Sequence, residues 1–191
     1  MSYDDGRRTG ARVEVDDLLD AAARAFAEHG VARTTMIDVA RSAGCSRATL
    51  YRSFPSREAL HLAFVHRAAL RIAADLAPAS ATRSAGAMVD LVAAGIAAIR
   101  ADPLLAAWFQ PENVAIPIAV SQDSELLRTM TTALAGALDP DARSGAEVEL
   151  RGAWLLRCIV SFLAMPAEDP SVERAMLETF VAPLLVSPTP R

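Results

Sequence analysis

TMIDVARSAGCSRATLYRSFPSREA, residues 35–59, is the stretch whose reading decides the fold. Thr34 or Thr35 can cap a short helix that runs to Ala43, where Gly44 ends it. Ser46 can cap a second helix from Arg47 to Phe54, which Pro55 stops, and Ser56 can start a longer one. Two helices packed across a sharp turn need a small residue where they cross, and Ala40 supplies it. The turn needs a positive backbone dihedral, which Gly44 adopts without steric cost. Val39, Ala43, Cys45 and Leu50 sit at the offsets that face a supporting core. Arg47, Thr49, Tyr51 and Arg52 then point away from Leu50, toward solvent or a groove. Together these features predict a helix-turn-helix.

Outward from that stretch the helical period continues. Leu18, Leu19, Ala22 and Phe26 recur along a preceding helix that Gly30 closes. After Ser56, the residues Leu60, Phe64, Ala68 and Ile72 line one face of a long helix ending near Pro78. A fifth helix carries Met88, Leu91, Val92, Ile96 and Ile99, and Asp102-Pro103 opens a short sixth through Phe109. The stretch with Pro111 and Pro117 reads as irregular. Further helices are expected at Leu126–Leu138, up to about Met165, and around Met176–Leu185, where Pro183 should kink or fray the last one. No strand-like alternation occurs. The expectation is an all-α fold of about nine helices: a flexible arm over 1–12, a helix-turn-helix domain over 13–58 and a helical body over 59–191.

Bulk properties narrow the function. The 191 residues carry a net charge of −4, which by itself argues against a nucleic-acid partner. The sign is divided, however: residues 33–57 hold five arginines against Asp38, a local +4, whereas residues 58–191 hold ten arginines against fifteen acids, a net −5. A basic segment on an acidic body suits a module that meets DNA. Arg33 and Arg41 read equally well as solvated side chains. Cys45 and Cys158 lie far apart without a CxxC pair, so neither a disulfide framework nor a zinc site is expected. The polar N-terminus and the interrupted apolar stretch 152–165 predict a cytoplasmic protein with no membrane span. His61 and His66 are five apart, off the helical spacing of a metal pair, and no phosphate loop, serine elbow or carboxylate pair appears. An enzyme is therefore not expected, and no cofactor or metal.

The stretch AGCSRATLYRSFPSREAL, Ala43 to Leu60, resembles the signature of the TetR family of transcriptional regulators, and the preceding helix ending in FAEHG agrees with it. Ala48 stands where that family commonly has glycine, and Ser53 where an aromatic or histidine is frequent. The resemblance implies a homodimer bound to a double-stranded DNA operator, most often a repressor released by a small molecule. It implies that Thr35 offers its hydroxyl and backbone N–H to a phosphate, that Thr49 and Tyr51 donate hydroxyls to phosphates, and that Arg57 pairs with the DNA backbone. Ser46 would divide its time between capping and a phosphate. Arg47 and Arg52 are the candidates for reading bases, since a guanidinium forks onto guanine O6 and N7.

In the larger half, residues 152–165 are apolar nearly all round, as expected of a helix with one face in its own core and one on a partner. Leu155, Ile159, Phe162 and Phe180 are candidate interface residues, although plain core packing accounts for each as well. Met88, Trp108, Phe109, Met130 and Trp154 are candidate linings of an effector cavity, with ordinary core again the competing reading. Few ionisable groups lie on those faces, which favours an apolar or weakly polar ligand. The alternatives are an all-helical protein–protein interaction module, or a regulator without a small-molecule effector.

Overall fold

A computed structural model describes residues 14–77, 84–138 and 144–185, and every described element is helical. The arm expected over 1–12 and the link at Asp139-Pro140 lie outside the described residues. The head consists of α1 (Val15–His29), α2 (Met36–Ser42) and α3 (Arg47–Ser53). A long α4 (Arg57–Leu76) leads into α5 (Ala85–Ala101) and α6 (Pro103–Ala106), which tightens into a 3-10 turn at Ala107–Phe109. Then come α7 (Ala115–Asp123), α8 (Glu125–Leu138), α9 (Gly145–Ala164) and α10 (Pro170–Met176).

Side chains read from sequence as starts do cap their helices. Thr35 closes a capping box with Asp38, and Ser46 and Ser56 accept hydrogen bonds from the backbone of Thr49 and Ala59. Asp102 accepts from Leu104 and Leu105, and Pro103 sits beside it with its fixed φ suited to a first turn.

Two elements differ from expectation. The stretch around Pro117 is not irregular: Pro117 is the third residue of α7, where a backbone N–H has no helical partner anyway, so the missing donor costs nothing. At the last helix the departure from α geometry lies ahead of Pro183: a π turn at Leu177–Val181, with the Ala182 N–H donating to Leu177 O, separates α10 from a final α-helical turn at Ala182–Leu185.

Packing divides the core into two clusters. The first joins Leu18, Phe26, Val39 and Leu50 of the head to Leu60 and Phe64 of α4 and Leu105 and Trp108 of the α6 segment. The head core therefore continues past the expected boundary at residue 58. The second joins Met88, Val92 and Ile96 of α5 to Leu155 and Leu163 of α9 and to Leu177 and Val181. Helices α8 and α9 cross so closely that a Cβ on Gly152 would lie 2.5 Å from Thr132 Cα and 2.6 Å from its backbone nitrogen. Backbone cannot step aside as a side-chain tip can, so Gly152→Ala is expected to destabilise by about 3 kcal/mol, roughly 6–12 °C in Tm. Calorimetry checks this; a melting point equal to wild type would contradict so close a crossing.

Candidate functional site

The head presents one polar edge. Gly44 turns the chain with φ +64°, its N–H donating to Arg41 O at 3.1 Å while Cys45 N–H donates to Ala40 O at 3.1 Å. That turn, with Val39 and Leu50 wholly buried beneath it, fixes how α3 leaves α2. Helix α3 then exposes Arg47, Ala48, Tyr51 and Arg52, with Thr49 half-buried beside them. Arg47 and Arg52 therefore extend from a short rigid helix whose opposite side is locked into the core.

Other residues of this edge are already engaged. The Thr35 N–H and hydroxyl both donate to Asp38 Oδ2, at 3.0 and 2.6 Å, and these bonds hold the Asp38 carboxyl below its usual range. Thr35 is thus a cap whose donors face a carboxylate in the free protein. Ser46 Oγ accepts from Thr49 N–H at 3.1 Å and lies 2.9 Å from Thr49 Oγ1. Arg57 is a strut: its Nη1 donates to Ala32 O at 3.0 Å, drawing the turn between α1 and α2 onto the start of α4. Only this one nitrogen of the half-buried guanidinium is engaged by the Ala32 and Thr34 carbonyls.

The turn at Ala32 is also tied to the body. The Ala32 N–H donates to Asn113 Oδ1 at 3.0 Å, and the buried Asn113 returns its Nδ2–H to Ala107 O at 2.8 Å. One amide side chain between α6 and α7 therefore grips both the head and the 3-10 turn carrying Trp108. Arg24 adds a bond from α1 to Ser42 O at 3.0 Å, at the end of α2. Sequence reasoning missed Asn113 because it lay in a stretch read as irregular.

The body holds a cavity of about 400 Å³ between α4, α5, the α6 segment, α7, α8 and α9. Its walls include Trp108, Phe109 and Met130 from the candidate set, together with Ile72, Ile96 and Ile159. Met88 and Trp154 do not line it. Met88 is buried in the second core cluster, and Trp154 is 50 % exposed.

The sequence profile of the bacterial regulatory proteins, TetR family, matches residues 18–64. An HTH-type transcriptional regulator of Mycobacterium tuberculosis is 36 % identical over 181 residues, covering 94 % of this chain and 88 % of the relative. The chain belongs to the TetR family. Among solved structures, the TetR family repressor AlkX from a Dietzia strain superposes with a TM-score of 0.65 at 23 % identity, covering 94 % of this chain and 97 % of that one. The repressor QsdR of R. erythropolis gives 0.66 at 18 % identity, covering 92 % and 96 %. As a TetR-family member the protein is a DNA-binding transcriptional regulator rather than an enzyme. Among the described residues no single helix is long and apolar enough to cross a membrane.

The outward side of the regulator's last helices carries large apolar residues among polar ones such as Arg157 and Ser161. Leu150, Trp154 and Met165 stand exposed along α9, and Val172, Met176 and Phe180 along α10 and its π turn. Leu155, expected at an interface, is instead fully buried in its own core, because it lies about 100° around the helix from Trp154. Ile159 faces the cavity and Phe162 is half-buried in the second cluster, so of the four interface candidates Phe180, at 66 % exposure, is the one fully on the outward side.

Where head meets body, His61 sits within a box of Phe26, Phe64 and Trp108, its ring centroid 5.2 Å from that of Trp108. Neither His61 Nε2 nor Trp108 Nε1 has a hydrogen-bond partner among the described residues. Burial, with the Arg57 charge adding, pushes the His61 pKa from 6.5 down to about 4. The unfolded chain therefore takes up this proton first as the pH falls. The stability His61 contributes is complete above about pH 6.5 and is lost as the pH falls toward 4. His61→Phe removes the titration, so its Tm should fall less than that of wild type between pH 7 and pH 5. Parallel melting curves across that range would contradict this.

Proposed function

We propose that this regulator is a homodimeric repressor whose paired heads read an operator through α3, and that an apolar or weakly polar ligand in the body cavity releases it. The observation that carries this reading is the continuity of α4. This one unbroken helix begins with Arg57, braced on the head, and lines the effector cavity through Ile72 further along. Whatever enters the cavity presses on the same rod that aims the head.

On DNA, Arg47 and Arg52 are the proposed base readers and Tyr51 and Thr49 the phosphate contacts. Thr35 and Ser46 act as caps that hold α2 and α3 in register, and Arg57 holds the whole head on α4. The exposed large apolar residues around Trp154 and Phe180 mark the proposed dimer face, since a monomer seldom exposes so many large side chains on neighbouring turns. Asn113 offers a second route from cavity to head, because movement of the Trp108 turn shifts the Ala32 hydrogen bond directly. A ligand that fits better when the two heads are wrongly spaced weakens operator binding by the same coupling free energy, about 1–3 kcal/mol or roughly 5–150-fold.

Footprinting on the DNA upstream of the protein's own gene tests this. The expected pattern is two protected half-sites separated by about one helical turn or a multiple of it. A single unpaired patch, or protection independent of sequence, would overturn the dimeric-reader proposal.

A further inference from the structure

The cavity has a length and a chemistry that narrow its occupant. Along α4 its lining runs from Val65 to Ala77, an axial span of about 18 Å. Its volume is about 400 Å³.

The walls also offer no free side-chain donor. Ser121 and Thr131 are polar residues among them, and both hydroxyls are spent on their own helices. Ser121 Oγ–H donates to Ile118 O at 2.7 Å, and Thr131 Oγ–H points to Leu127 O and Arg128 O at 3.0 and 3.1 Å. The Trp108 indole nitrogen is itself buried, so it presents no donor to the cavity. A carbonyl or carboxylate drawn inside would lose its water and find no donor in exchange. Such a head group must stay at the mouth or outside.

We propose that the effector cavity takes one flexible, unbranched alkyl chain, recognised by its length along the apolar wall and not by a polar group within it. This rests on the reading of the cavity as the effector site. Each methylene buried contributes the same increment, so affinity rises by roughly fourfold per carbon until the channel is full and then levels off.

The test uses the full-length protein with two series of straight-chain probes, fatty acids and their uncharged methyl esters, of stepwise increasing length. A compact polycyclic hydrocarbon of similar volume serves as comparison. Thermal shift and calorimetric titration give binding, and displacement from a labelled operator is read separately. The expected result is length-dependent binding in both series that rises and then plateaus, with the polycycle weak. Gly95→Leu and Ala69→Leu, on two different walls, should weaken the longest chains at least tenfold in calorimetric titration; Gly95 has room for the added Cβ, whose nearest neighbour is Leu76 Cδ1 at 3.8 Å. Binding of acids but not esters, preference for the polycycle, or affinity independent of length would each overturn the alkyl-chain proposal. If a polycycle binds and displaces the operator, the effector reading stands and this inference falls. If chains bind with the expected length dependence yet leave the operator bound, the inference stands and the release mechanism falls.

Discussion

Arg47→Ala combined with Arg52→Ala is expected to weaken operator binding by about 100-fold or more while leaving the melting temperature unchanged. Each guanidinium that forks onto a guanine contributes about 1–3 kcal/mol of discrimination, and the two act on separate bases. Both side chains are exposed on α3 and neither belongs to the core, so the fold loses nothing with them. Binding to unrelated duplex should fall much less, because phosphate contacts remain. Gel-shift titrations on operator and scrambled DNA measure both effects. An operator affinity within a factor of two of wild type would remove α3 as the reading helix.

The second large effect is expected at the proposed dimer face. Trp154→Asp puts a charge in the middle of that face, between Leu150 and the Met165 end of α9, at a site where burying it on association is costly. The variant should be monomeric at concentrations where wild type is dimeric, and operator affinity should fall at least 100-fold as the half-sites lose their linkage. Sedimentation velocity and gel shift check the two halves of that statement. Because Trp154 is half-exposed and outside both core clusters, the monomer should keep its helical content. A variant that stays dimeric would move the interface elsewhere.

The head was the legible part of this chain because its signals are local. Gly44 is required by a positive φ, Thr35, Ser46 and Ser56 by helix starts, and Leu50 by its offset from Val39. What was not legible involves choices between partners distant in sequence. Trp154 and Leu155 are adjacent apolar residues, and periodicity cannot say which side of an almost uniformly apolar helix meets its own core. The structure turns Leu155 inward and Trp154 outward, the reverse of the sequence expectation. Arg57 reads as a cation at the mouth of a DNA-binding motif, and nothing local announces the carbonyl of Ala32, 25 residues earlier, to which it donates. Pro117 reads as a breaker because a missing N–H is usually a loss, and only its place in the first turn of α7 makes it harmless. Trp108 and Phe109 on the cavity wall followed from the scarcity of aromatics, whereas Asn113 left no periodic trace at all.

The central claim is that the +4 segment around α3 docks on specific duplex DNA. Its most direct test is a titration of the purified protein against the DNA upstream of its own gene at two salt concentrations. The account predicts sequence-specific binding that weakens steeply as salt rises, with log K falling by about 0.9 per phosphate contacted for each tenfold increase in salt. Absence of binding at every concentration, or binding indifferent to salt, would contradict it.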